Sequence, residues 1–270
     1  MSMSSEQYYQ ALRARDSRFD GCFFVGVTST GIYCRPICPA RTPAQRRCLF
    51  FRSAAQAENQ GFRPCLRCRP ELAPGNAPVD ATSRTARAAW ARIRSGALGA
   101  GQNLESLAQD LGLSSRQLRR SIAQELGATP VELIQTQRLL LAKQLLTETR
   151  LPITEVAYSA GFSSLRRFNA LFLERYGLNP RELRRRRGPH GDSDLSLSLN
   201  YRPPLEWESL LDFLDKHAMT RAEHVEEGLY RRTLRLGSCR GWVEVRPGRT
   251  GQLKVRLSES LLPCLAAVLA

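Results

Sequence analysis

GIYCRPICPAR (Gly31 to Arg41) and GFRPCLRCRP (Gly61 to Pro70) carry four of the eight cysteines of this 270-residue chain, and their spacing decides how its first third must fold. Cys34 and Cys38 stand four apart, Cys65 and Cys68 three apart, and 26 residues separate the pairs. Two close pairs on separate turns are what a tetrahedral ion needs, because each turn offers two sulfurs along one edge of the tetrahedron. Pro36, Pro39, Pro64 and Pro70 stiffen both turns, and no histidine precedes His190 to complete another ligand set. Zn²⁺ is the expected ion, although an iron site of rubredoxin type uses the same four ligands.

Charge separates the rest of the chain into parts. The net charge is +15, and Lys plus Arg outnumber Asp plus Glu by 11 to 6 over residues 1–80 and by 18 to 8 over residues 81–188. Residues 189–270 balance at 11 of each. An excess confined to the first two stretches is the footprint of a polyanion-binding surface, and a uniform compositional bias towards Arg would not spare the third. The start, MSMSSEQYYQALRARD, has no apolar stretch ahead of a small-residue cleavage site, and no run approaches the roughly 18–20 apolar residues of a membrane span. A reducing cytoplasm without membrane attachment is therefore expected, where cysteines serve as metal ligands, nucleophiles or small packing residues more often than as disulfides. Cys22, Cys48, Cys239 and Cys264 lie in apolar surroundings without partners at ligand spacing and are expected simply to be buried.

Two linkers are expected, one at Pro74-Gly75-Asn76-Ala77-Pro78 and one running from Arg184 through Asp194. They divide the chain into 1–78, 84–187 and 195–270, and the fold class is multidomain α+β: a small α/β zinc domain, an all-α double helix-turn-helix domain and an α+β C-terminal segment. In the first, a helix near Ser5 to Arg15 precedes β-prone Cys22 to Thr28 and Cys48 to Phe51, with the cysteine loop between them and a second helix from Ser53 to Gly61. The middle is helical almost throughout. Asn103 caps LESLAQDLG, Ser114 or Ser115 caps RQLRRSIAQEL, and Pro130 opens VELIQTQRLLLAKQLL. Helices over Ile153 to Ala160, Ser164 to Tyr176 and Pro180 to Arg187 follow. The last stretch alternates strands at Leu195 to Tyr201, Leu229 to Leu236, Gly241 to Val245 and Leu253 to Leu257 with helices near Glu206 to His217 and Ser260 to Leu269.

Within the middle, Leu104 to Leu126 and Ile153 to Tyr176 each form helix, turn, helix. Leu107, Leu111, Leu118 and Ile122 face inward in the first unit, leaving Arg116, Arg119 and Arg120 outward. Val156, Ala157, Phe162, Phe168 and Phe172 face inward in the second, leaving Arg166, Arg167 and Asn169 outward. Arg at such positions can pair bidentately with guanine or contact phosphates, though an isolated amphipathic pair is more often a solvated face. Two units tied by one long helix favour DNA.

The run DGCFFVGVTSTGIYCRPICPAR (Asp20 to Arg41), followed by GFRPCLRCRP, resembles the N-terminal domain of the Ada family of adaptive-response DNA repair proteins. By that resemblance Cys34 is a methyl acceptor that takes a methyl group irreversibly from a methylphosphotriester in the DNA backbone. Cys38, Cys65 and Cys68 complete the zinc site, and Arg41, Arg63 and Arg67 contact phosphates. GFSSLRRFNALFLERYGLNPRELRR (Gly161 to Arg185) is similar to the signature of the AraC family of transcription activators, which implies two recognition helices in successive major grooves of promoter DNA and RNA polymerase as a partner. Leu195 to Leu269, with NYRPPLEWESLLDFL, resembles the N-terminal domain of AlkA-type 3-methyladenine DNA glycosylases, whose catalytic Asp belongs to a later domain that is not expected in this chain. Asp212 and Asp215 are expected as solvated surface groups.

From spacing alone, a closed four-cysteine site is most often a passive clip. A zinc-bound thiolate nevertheless stays nucleophilic without a base. Two positive charges against four negative ones leave the site doubly negative, which repels an ordinary phosphodiester but not a neutral phosphotriester. The expected function is thus a single-turnover, methyl-accepting DNA repair protein that also activates transcription. The alternatives are a pure regulator with a structural zinc site, and a glycosylase fusion lacking its catalytic part.

Overall fold

The computed structural model describes residues 3–74, 84–94, 104–187, 195–219 and 221–270. Contacts divide the chain into two compact units, Met1–Leu140 with Ala270, and Leu141–Leu269.

In the first unit, α1 (Ser5–Ala14) starts at Ser4, whose hydroxyl accepts the Gln7 amide while the Gln7 side chain accepts the Ser4 amide. This reciprocal cap satisfies donors that a helix start leaves open. Ala11 and Leu12 of α1 are buried with Phe23 and Val25. Next come β1 (Phe24–Val27), β2 (Ile32–Cys34), β3 (Cys48–Phe51), α2 (Ala54–Asn59) and β4 (Arg63–Pro64), in a sheet of order β3-β1-β2-β4. The loop expected between β1 and β3 therefore contains β2, and β4 follows α2; strands of three and two residues are too short to show alternation. Gly26 lies where a side chain has no room: a Cβ there would approach Phe51 Cε2 at 2.5 Å and Phe62 Cε1 at 2.9 Å.

The further helices described in this unit are α3 (Arg84–Arg94), α4 (Leu104–Asp110), α5 (Ser115–Leu126) and α6 (Pro130–Glu148), and the division between units falls within α6. Ser114, rather than Ser115, caps α5 through the Gln117 amide, and Gly127 ends it at φ 69°, a left-handed conformation that favours glycine. Leu107, Leu118, Ile122 and Leu133 form a core with Ala89 and Ile93, against which Leu111 packs. The expected Asn103 cap and most of both expected linkers lie outside the described residues.

The second unit begins with the end of α6 and continues through α7 (Ile153–Ser159), α8 (Leu165–Tyr176) and α9 (Pro180–Arg187). Val156, Ala157, Phe162, Phe168 and Phe172 are all buried, and the Phe168 and Phe172 rings meet edge to face at 5.5 Å. The remainder is β5 (Ser196–Asn200), α10 (Trp207–His217), β6 (Glu223–Glu226), β7 (Leu229–Leu236), β8 (Cys239–Pro247), β9 (Gln252–Leu257) and α11 (Leu265–Val268). Its antiparallel sheet has the order β5-β9-β8-β7-β6. The edge strand β6 was not expected; it carries three charged or titratable residues among its four. The helix expected over Ser260 to Leu269 is a 3-10 turn from Glu259 to Cys264 followed by α11, because Pro263 cannot serve as an interior helix donor. Cys239 and Cys264 are joined in a disulfide, with Cα atoms 6.6 Å apart, rather than packed as separate thiols. Twenty-five positions of sequence hide that partnership.

Candidate metal centre

Cys34 ends β2, and Cys65 follows the last residue of β4. Because β2 and β4 run parallel, with Ile32 beside Arg63 and Tyr33 beside Pro64, the next position of each strand is a cysteine. The Cys65 amide donates to the Tyr33 carbonyl at 2.9 Å and fixes that register. A turn closed by the Cys38 amide on the Arg35 carbonyl, 3.1 Å, brings Cys38 back beside Cys34. The outcome is four ligand atoms, from Cys34, Cys38, Cys65 and Cys68, all within 4.8 Å of one another.

The donor set suits a soft dication. Without one, the thiols must share protons: hydrogen bonding to Cys38 pushes the Cys34 thiol far up, while hydrogen bonding to Cys34 pulls the Cys65 thiol far down. Thiolates crowded this closely call for a cation among them, and four sulfurs in tetrahedral reach fit zinc. Main-chain donors already face three of the sulfurs. The Arg35 amide donates to Cys68 Sγ and the Arg67 amide to Cys65 Sγ, each at 3.4 Å, and the Ala40 amide bonds to Cys38. Among the described residues Cys34 Sγ accepts no main-chain N–H, and of the four cysteines Cys34 alone keeps part of its residue surface exposed.

Arg35 is a functional residue that sequence reasoning missed. Its side chain is 3% exposed and forms a bidentate pair with buried Asp20, while Nη1 donates to the Cys68 carbonyl at 3.1 Å. Amide and guanidinium together therefore clamp the first cysteine turn onto the second. In sequence it resembles any arginine of a basic domain, and no local pattern announces its burial. The proposed phosphate-contacting residues Arg41, Arg63 and Arg67 are exposed, and Arg67 lies on the second cysteine turn itself. Arg116, Arg119 and Arg120 are exposed on α5, and Arg166, Arg167 and Asn169 on α8. These two sets lie in different compact units. Asp212 and Asp215 are exposed on α10.

A sheet-borne zinc–cysteine centre in one chain with paired helix-turn-helix units defines a zinc-containing helix-turn-helix regulator. Comparison with known proteins narrows this class. Family models match residues 7–71 as the metal binding domain of Ada, residues 107–186 as a helix-turn-helix domain and residues 196–270 as an AlkA N-terminal domain. The "Bifunctional transcriptional activator/DNA repair enzyme AdaA" of Bacillus subtilis is 31% identical over 184 residues, covering 67% of this chain and 83% of that protein. The "Probable bifunctional transcriptional activator/DNA repair enzyme AlkA" of Mycobacterium tuberculosis is 38% identical over 248 residues, 90% of this chain but 50% of that protein. This chain thus spans about half the length of the mycobacterial relative. Among solved structures, the DNA methyl phosphotriester repair domain of Escherichia coli Ada is 38% identical over 31% of this chain and 92% of that one, with a TM-score of 0.25. The chain belongs to the Ada family of bifunctional transcriptional activator/DNA repair proteins.

Proposed function

We propose that the chain removes methyl groups from methylphosphotriesters of double-stranded DNA by taking them onto Cys34, once per molecule, and that it activates transcription from promoter DNA in the cytoplasm together with RNA polymerase. The observation that carries this reading is the asymmetry of the four sulfurs. An N–H···S bond withdraws electron density from a thiolate, and only Cys34 accepts none from the main chain among the described residues, while its residue surface is partly exposed. Cys34, Cys38, Cys65 and Cys68 would hold zinc, which would keep Cys34 deprotonated at neutral pH without a general base. A lone pair of Cys34 Sγ forms the bond to the methyl carbon. The methyl carbon–oxygen bond breaks, its electron pair stays on the phosphate oxygen, and an ordinary phosphodiester anion leaves. No proton is transferred, which agrees with the lack of histidine in the first 189 residues.

Arg41, Arg63 and Arg67 serve in this reading as exposed contacts to the flanking phosphates. Arg116, Arg119 and Arg120 on α5, with Arg166, Arg167 and Asn169 on α8, serve as the promoter-reading sets. The likeness of residues 196–270 to an AlkA N-terminal domain favours a second reading, part of a base-excision glycosylase. One experiment separates the readings. Zinc-loaded protein is incubated with DNA carrying methylphosphotriesters, and mass spectrometry should find one added methyl on Cys34, absent in Cys34→Ser. Unmodified protein would reduce the chain to a regulator with a structural zinc, and release of free 3-methyladenine would support the glycosylase.

A further inference from the structure

Glu58 is a buried carboxylate that the methyl-transfer chemistry does not use. It lies on α2, 6% exposed, and its two oxygens face in different directions. Oε1 accepts the Tyr33 hydroxyl at 2.9 Å, and Oε2 accepts the Thr136 hydroxyl at 2.9 Å. Tyr33 is fully buried in β2 and immediately precedes Cys34. Thr136 is on α6, the helix that follows the first helix-turn-helix unit, and is 5% exposed. One side chain therefore joins the strand that ends in Cys34 to a helix that leads out of the DNA-reading segment.

The surroundings make the junction stiff. The Ser53 hydroxyl, at the start of α2, donates to the Leu126 carbonyl at the end of α5, 2.9 Å. Ala55 of α2 is buried in the same core as Leu118 and Ile122 of α5. Leu140 of α6 packs against the cluster of Phe24, Tyr33 and Phe51. Helix α2 is thus a wall common to the zinc sheet and to the first helix-turn-helix unit, with Glu58 as its one polar cross-link running from β2 to α6 among the hydrogen bonds described. Hydrogen bonds in a low-dielectric interior are stronger and more directional than in water, so displacement of β2 is felt at α6.

We propose that Glu58 is a positioning residue that passes a change at Cys34 to the first helix-turn-helix unit through the Tyr33–Glu58–Thr136 hydrogen bonds. The inference rests on the reading of Cys34 as the group that changes. Loss of negative charge at the end of β2 alters the pull on Tyr33, and the bridge carries that alteration to α6, where it resets the seating of α5.

Amide hydrogen exchange of the full zinc-loaded chain, before and after S-methylation of Cys34 by methyl iodide, reads residues 133–139 of α6 while the perturbation is made at the cysteine end. In the wild type, methylation should change exchange in that stretch by about threefold or more, whereas Thr136→Val, which exchanges the hydroxyl for a methyl, and Tyr33→Phe, which deletes it, should abolish the response at equal methyl and zinc content. A purely structural Glu58 would lower the stability of these variants and leave the response intact. An equal response in wild type and Thr136→Val, or none in wild type, overturns the bridge. Where alkylation is not confined to Cys34, Cys34→Met supplies the neutral thioether, and the same outcomes decide. Methyl iodide involves no DNA, so failure to take a methyl from phosphotriester DNA, measured alongside, counts against the acceptor reading alone.

Discussion

Arg35 stands one position after the proposed nucleophile, where exposure would make it a phosphate contact; burial makes it a clamp instead. Its guanidinium neutralises Asp20 and holds the Cys68 carbonyl, while its amide caps Cys68 Sγ. Replacing it takes from buried Asp20 its bidentate partner, and breaking a buried pair by removing one member costs about 3–5 kcal/mol. Groups that orient metal ligands typically influence metal affinity by about 10–100-fold. Arg35→Leu should therefore weaken zinc binding by that order, and Asp20→Asn, which keeps a hydrogen-bonding side chain, by less. Competition against a chromophoric chelator measures both, and zinc affinities equal to wild type would show that the clamp does not support the centre. The cysteines themselves were legible in sequence, because ligand spacing is a local property of two turns. Arg35, Asp20, Tyr33, Glu58 and Thr136 were not, since their partners lie 15 to 78 positions away and nothing in an isolated Arg or Glu announces burial.

Elements were legible in proportion to their length. Helix α5 showed its inward Leu118 and Ile122 and its serine cap plainly, and the structure only chose between two adjacent serines. Strands β2 and β4 were invisible for want of residues, yet their parallel pairing is what sets Cys34 beside Cys65. In the C-terminal sheet the informative residue is Glu244, central in β8 and 4% exposed. Burial alone would raise its pKa, but hydrogen bonds from Arg231 at 2.7 Å and Arg256 at 3.1 Å hold the carboxyl below its ordinary value of 4.5. A depressed carboxyl stabilises the fold above its unfolded pKa, and that contribution is lost as pH falls through the folded value, so the window lies below about pH 4.5. Both arginines keep part of their surface in water, so screening limits the gain. Glu244→Gln should reduce the stability of the sheet by about 1–2 kcal/mol at pH 6, with the difference shrinking below pH 4. Hydrogen exchange across residues 229–257 reads this directly, and a penalty that persists undiminished in acid would rule out the ion pairs as its source.

For the whole molecule the governing quantity is charge and where it resides. The basic excess belongs to residues 1–188 and is absent from residues 189–270, so in the proposed reading the zinc domain and the helix-turn-helix segments supply the attraction to DNA. Into that basic field a dication held by the four thiolates would introduce a doubly negative spot, which one methyl on the proposed acceptor Cys34 would halve. A unit charge about 6 Å from a phosphate, at an effective dielectric between roughly 20 and 80, is worth about 0.7–2.8 kcal/mol. Methylation should accordingly tighten binding to a DNA duplex by about threefold to a hundredfold. Salt separates this contribution from the Glu58 bridge. Screening over a Debye length of about 8 Å at physiological ionic strength, and about 3 Å at 1 M, weakens the electrostatic part, whereas a change transmitted through buried hydrogen bonds is insensitive to salt. Mobility shifts of methylated and unmethylated protein across a salt series should therefore show an affinity ratio that falls towards a plateau. In Thr136→Val the plateau should approach one while the low-salt advantage survives. A ratio of one at every salt concentration in the wild type would mean that the methyl on Cys34 is a record of repair and not a signal.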